Sequence, residues 1–175
     1  GNITVTVSAG KQLSWTMTYK GIEILNSPRT AILLGDGTIP VENEQIRKPL
    51  TGQVTEVIKP VVAYKRALVN NNFNYLSILF RSGFAITFRV YNDGMAYRFE
   101  SEMKDSLIIR NEIADLAFPA GTKAWFPYEA GFMSHNENSF ILSSLDTITS
   151  KHLASLPVLF KPQELNLLIT ESAIE

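Results

Sequence analysis

At 175 residues, with 45% hydrophobic and 19% charged side chains, the chain has the make-up of an ordinary globular domain and enough length to bury a core. Sixteen basic residues against seventeen acidic ones leave a net charge of −1, which argues against nucleic-acid binding and provides no polybasic patch for a membrane surface. The absence of cysteine excludes disulfides, thiolate metal sites and thiol catalysis, and no apolar run approaches the roughly 18 residues that a membrane span requires.

Gly1-Asn2 carries neither an initiator Met nor a signal peptide, and the glycine reads most simply as a residue left by tag removal. From there the apolar pattern has period two. In "ITVTV" (3–7), Ile3, Val5 and Val7 face one way and the threonines the other. In "LSWTMTY" (13–19), Leu13, Trp15, Met17 and Tyr19 alternate with Ser14, Thr16 and Thr18. Such alternation predicts strands with one dry and one wet face. Lys20-Gly21 predicts a tight turn into a strand over 22–25, and further strands are expected at 30–34, 53–58, 74–80 and 84–91. The apolar spacing of 101–116 is poor and leaves room for a short helical turn at most. Strands at 139–145 and 156–160 follow, and Leu165, Leu167 and Ile169 alternate toward the end of the chain. The segments 35–52 and 129–138, rich in Gly, Asn and Glu, are expected as loops. Many short strands with little helix predict an all-β, antiparallel β-sandwich or barrel, with 1–175 as a single domain.

The sharpest local signal is "FRVYNDGMAYRFE" (88–100). Asp93-Gly94 favours a type I′ turn, since glycine tolerates positive φ. A two-residue loop pairs Asn92 with Met95, Val90 with Tyr97 and Phe88 with Phe99, which gathers the apolar side chains on one face. The same register places Arg89 opposite Arg98. Like charges so placed call for a carboxylate from a neighbouring strand, or for a docking surface or anionic ligand.

Catalytic groupings are sparse. No nucleophile elbow, phosphate-cradling glycine loop or HExxH motif is present. His135 and His152 read as surface residues, and Asp36 and Asp105 as turn residues. "AWFPYEAGF" (124–132) gathers Trp125, Phe126, Tyr128 and Phe132 around Pro127, followed by Glu129. Those rings either close the end of a sandwich core or form a sugar-stacking platform carried by Trp125 and Tyr128. Glu171, reached by the last strand, is either a solvated residue at a strand end or one side of a site.

In order and spacing, "LSWTMTYKGIEIL", "ITFRVYNDGMAYRF", "WFPYE" and "LLITESAIE" resemble the N-terminal domain of glycoside hydrolase family 97, nearly end to end. The resemblance implies a galactose-mutarotase-like super-sandwich from an exported, periplasmic α-glucosidase or α-galactosidase of a Gram-negative bacterium, acting on α-linked oligosaccharides. It implies a central (β/α)₈ barrel and a small C-terminal β domain, both absent from this chain. The barrel would supply the catalytic acid and the base or nucleophile, so no catalytic residue is expected here and the isolated chain is expected to be inactive. It also implies a calcium ion beside the scissile bond, with one glutamate reaching in from the sandwich. Glu171 is the position carried over to that role, Glu129 the reserve. The competing expectations are a free-standing carbohydrate-binding module built on Trp125 and Tyr128, and a pure interaction domain using the Arg89/Arg98 pair.

Overall fold

The computed structural model describes residues 1–62, 65–135 and 137–171. The chain forms two compact units, Gly1–Ala117 and Phe118–Glu175. In the first, β1 (Ile3–Ser8), β2 (Ser14–Tyr19) and β3 (Ile22–Leu34) form a meander, and β8 (Ile109–Ala117) pairs with β3 to close a four-stranded sheet. A second sheet is the meander β4 (Ile46–Ile58), β5 (Val69–Phe80), β6 (Phe84–Val90) and β7 (Met95–Ser101). All these pairings are antiparallel.

The inward faces are those the alternation marks. Trp15 and Met17 are buried from the first sheet, with Leu13 just before β2, and Ile78, Phe84, Ile86 and Phe88 are buried from the second. Trp15 meets Phe88 edge-on at 6.3 Å and Tyr97 at 6.2 Å between ring centroids, which joins the two sheets into a sandwich. Burying the indole requires a partner for its N–H. Trp15 Nε1 donates to Thr30 Oγ1 at 2.9 Å, and that hydroxyl shares a 2.7 Å hydrogen bond with Ser27 Oγ. Both hydroxyl residues are fully buried.

The second unit is a sheet ordered β10 (Phe140–Ser144), β9 (Lys123–Glu129), β12 (Val158–Lys161), β13 (Leu167–Ile169), with β11 (Leu153–Ala154) also on β9. Its core is Ala124, Phe126 and Val158, packed by Tyr128, Leu145, Ile148, Ala154 and Phe160. A 3-10 turn at Leu145–Thr147 is a short exception to the all-β, antiparallel architecture. No described helix is long and apolar enough to cross a membrane.

Several local expectations are corrected. The two segments 22–25 and 30–34 are one strand, β3, whose register shifts between Asn26 and Arg29. Pro28 sits at that irregularity, where no ladder N–H is needed, so the strand continues through it. The segment 35–52 is strand from Ile46 onward, and the C-terminal part of 101–116 is β8. β8 is an edge strand exposed along most of its length, so it carries no alternation for the eye to find.

The 88–100 hairpin turns around Asn92-Asp93, one residue earlier than the expected Asp93-Gly94. Tyr91 N–H donates to Gly94 O at 2.8 Å, and the pairs are Val90 with Met95, Phe88 with Tyr97 and Ile86 with Phe99. A slip of two residues preserves which side chains share a face, so the apolar surface survives while the individual partners change. Arg89 therefore faces Ala96 and Arg98 faces Thr87. Arg98 donates to Glu100 two residues along its own strand, and the Arg89 guanidinium lies 4.8 Å from the Phe73 ring centroid. No like-charge pair exists at this position.

Candidate functional site

Most of the aromatic stretch lies in the central strand β9, flanked by β10 on one side and by β12 and β11 on the other. A proline is tolerated there because β12 pairs with residues 123–125 and β11 with 128–129, leaving a gap in the ladder beside Pro127. Alternation along β9 then sends its aromatic side chains to opposite faces. Phe126 and Tyr128 turn into the core, their ring centroids 4.6 Å apart. The Tyr128 hydroxyl donates to Ser143 Oγ at 3.0 Å, and His152 meets the ring edge-on at 5.3 Å. Trp125 points the other way, in line with Leu142 of β10 and Leu159 of β12. Trp125 and Tyr128 thus lie on opposite faces and do not form one stacking platform.

Glu129 ends β9 as a staple for the loop that follows. Its Oε1 accepts from Ser155 Oγ at 2.8 Å and its Oε2 from Asn138 Nδ2 at 2.6 Å. Hydrogen bonds from Ser134 first, then from Ser155 and Asn138, hold the carboxyl below its ordinary pKa. Two carboxylate oxygens offer about four lone pairs, and three donors leave Glu129 little capacity for a cation. The stapled loop presents Phe132 and Met133 to solvent. Alternation gave no sign of this arrangement, because the donors come from separate loops.

Glu171 stands two residues beyond the end of β13 and is exposed. The Thr170 hydroxyl donates to the Glu171 backbone carbonyl at 3.4 Å and leaves the carboxylate open. Ser172, the other flanking hydroxyl, lies outside the described residues. His152 Nδ1 accepts from the Thr149 N–H at 3.0 Å, which commits that ring nitrogen to the local turn. Among the described residues no group of three His, Asp or Glu side chains converges as a metal cage would require. Glu171 brings one free carboxylate and nothing more.

Comparison with known proteins follows the same lines. A family model described as glycosyl-hydrolase 97 N-terminal matches residues 1–175. The chain is 29% identical to a retaining alpha-galactosidase of Bacteroides thetaiotaomicron, a match that covers 100% of this chain and 28% of that enzyme. Among solved structures it superposes on a beta-arabinopyranosidase with TM-score 0.84 and 17% identity, covering 99% of this chain and 30% of the other. It also superposes on a glycoside hydrolase family 97 enzyme of Pseudoalteromonas sp. in complex with panose, with TM-score 0.78, 18% identity, and coverage of 93% and 26%. The chain therefore spans between about a quarter and a third of the length of these relatives. It belongs to the glycosyl-hydrolase 97 N-terminal family.

Proposed function

We propose that this chain is the sandwich part of an exported, periplasmic exo-acting α-glycosidase, inactive alone, that packs on a (β/α)₈ barrel and lends Glu171 to a calcium site. The observation that carries the reading is the family match over 1–175 together with the 28% share of the related alpha-galactosidase. Most of such a polypeptide lies beyond an N-terminal portion.

The donor set fits a partial calcium shell. Calcium takes six to eight oxygens, carboxylates prominent among them. Glu171 offers one exposed carboxylate with no side-chain donor competing for it among the described residues, two residues beyond the end of β13. Glu129 is the poorer candidate, since Ser134, Ser155 and Asn138 already engage its oxygens. A calcium ion held there would supply Lewis acidity beside the glycosidic bond. This chain's own part is to supply one anionic oxygen donor at the seam. The sugar-platform alternative gains nothing from Leu142 and Leu159, the direct cross-strand partners of Trp125, which carry no donors or acceptors for hydroxyl groups.

Hydrolysis of nitrophenyl α-glucoside and α-galactoside tests the reading. The isolated chain is expected to give no turnover, and the complete gene product is expected to hydrolyse one of the two and to lose that activity in a calcium chelator. Turnover by the isolated chain, or activity of the complete protein indifferent to chelation, would overturn it.

A further inference from the structure

We infer that the outward face of the second sheet, centred on Trp125, is the seat of the polypeptide that follows residue 175, and that the seated segment carries a carboxylate opposite Lys123 and Lys161. Register places Leu142 beside Trp125, Trp125 beside Leu159, and Leu159 beside Leu168, so one row of apolar side chains crosses all four strands. Leu142 is 44% exposed, Trp125 39% and Leu168 57%. The opposite face of the same strands already holds the core of Ala124, Phe126 and Val158. An antiparallel sheet with one face on a core normally presents polar residues on the other. β1 and β2 obey that rule, with Thr4 facing Thr18 and Thr6 facing Thr16 on their outer side. The Trp125 face breaks it across its full width, and a contiguous apolar stripe of this kind marks an interface.

A second observation gives the occupant its charge. One pair further along the same face, Lys123 stands directly opposite Lys161, both exposed. Neither makes an ion pair among the described residues. Two ammonium groups in direct cross-strand register repel each other unless an anion lies between them. An apolar segment with an Asp or Glu at its end satisfies the row and the pair together.

The occupant's identity follows from where the chain is heading, and this step rests on the reading of the chain as the N-terminal part of a longer glycosidase. Leu168 ends the row on the last strand, and residue 175 lies seven residues beyond it. Seven residues reach about 25 Å at most. The continuing polypeptide, most of the length of the related alpha-galactosidase, therefore starts within that distance of the stripe.

Photo-crosslinking in the complete gene product tests the assignment, with p-benzoylphenylalanine placed at position 125 and, as an independent site, at position 142. The expected result is a crosslink from both positions to peptides C-terminal to residue 175, unchanged on dilution. A carbodiimide crosslink from Lys123 or Lys161 to an Asp or Glu in that same region is expected as well. Crosslinks to residues 1–117, crosslinks to a second copy that vanish on dilution, or no crosslink in a folded, active protein would each overturn the assignment. Calcium-dependent hydrolysis assayed on the same samples separates the two claims. Normal activity with the wrong crosslink rejects the surface alone, whereas the expected crosslink in a calcium-indifferent protein rejects only the metal role of Glu171.

Discussion

Two side-chain clusters fix positions that apolar burial alone would leave loose. The Trp15–Thr30–Ser27 chain lets the largest ring of the first unit enter the core with its N–H satisfied, and it pins β2 to β3 where β3 changes register. Thr30→Val keeps the shape and removes the acceptor, leaving a buried donor unmatched, and is expected to cost about 1–3 kcal/mol in denaturant unfolding. Glu129 organises its loop by charge. Its carboxyl is held below the ordinary value, so its contribution is complete above the unfolded-state pKa and is lost as the pH falls through the lower folded value. Glu129→Gln is accordingly expected to lower the melting temperature at neutral pH, and the gap from wild type is expected to close under acid conditions below the usual carboxylate range. A gap that persisted unchanged there would show that the carboxylate charge is not what the loop relies on.

At the scale of elements, alternation was a reliable guide where one face is wet and the other dry, and poor where both faces share one fate. β1, β2 and β6 lie close to where Ile3, Val5, Trp15, Met17, Phe84 and Phe88 predict them. β8 and the first half of β4 are exposed on both faces, so no period distinguishes them from loop. β9 carries Pro127, a residue that argues against a central strand, and only the gap between β11 and β12 makes it acceptable. The turn of the 88–100 hairpin falls one residue before the expected one because Asp93-Gly94 signals a turn without setting its register, and a register two residues away keeps the same face dry. β4 and β5 meet at Gly52, where a Cβ would come within 2.7 Å of the Tyr75 ring. The tyrosine occupies the space above the glycine, so Gly52→Ala must displace it. A loss on the order of 1–3 kcal/mol is expected, readable as a lower denaturant midpoint with unchanged slope.

At the scale of the molecule, the family was legible in the order of short motifs, and their spacing runs the length of the family match. The site was legible only in part. Glu171 is marked by its place after a strand, but the further ligands proposed for it would come from sequence-distant polypeptide, which leaves no trace in local spacing. The difference between Trp125 and Tyr128 was in principle readable, since residues three apart on a strand face opposite ways, yet that inference needed β9 to be recognised as a strand. Glu171 is proposed as one ligand of a calcium ion completed by residues outside this chain. Calcium titration by calorimetry of the complete gene product, as wild type and as Glu171→Gln, tests it most directly. The expected result is a stoichiometric site whose affinity falls at least tenfold, about 1.4 kcal/mol, in the variant while the melting temperature in chelator stays unchanged. Equal calcium affinity in the two proteins would contradict it.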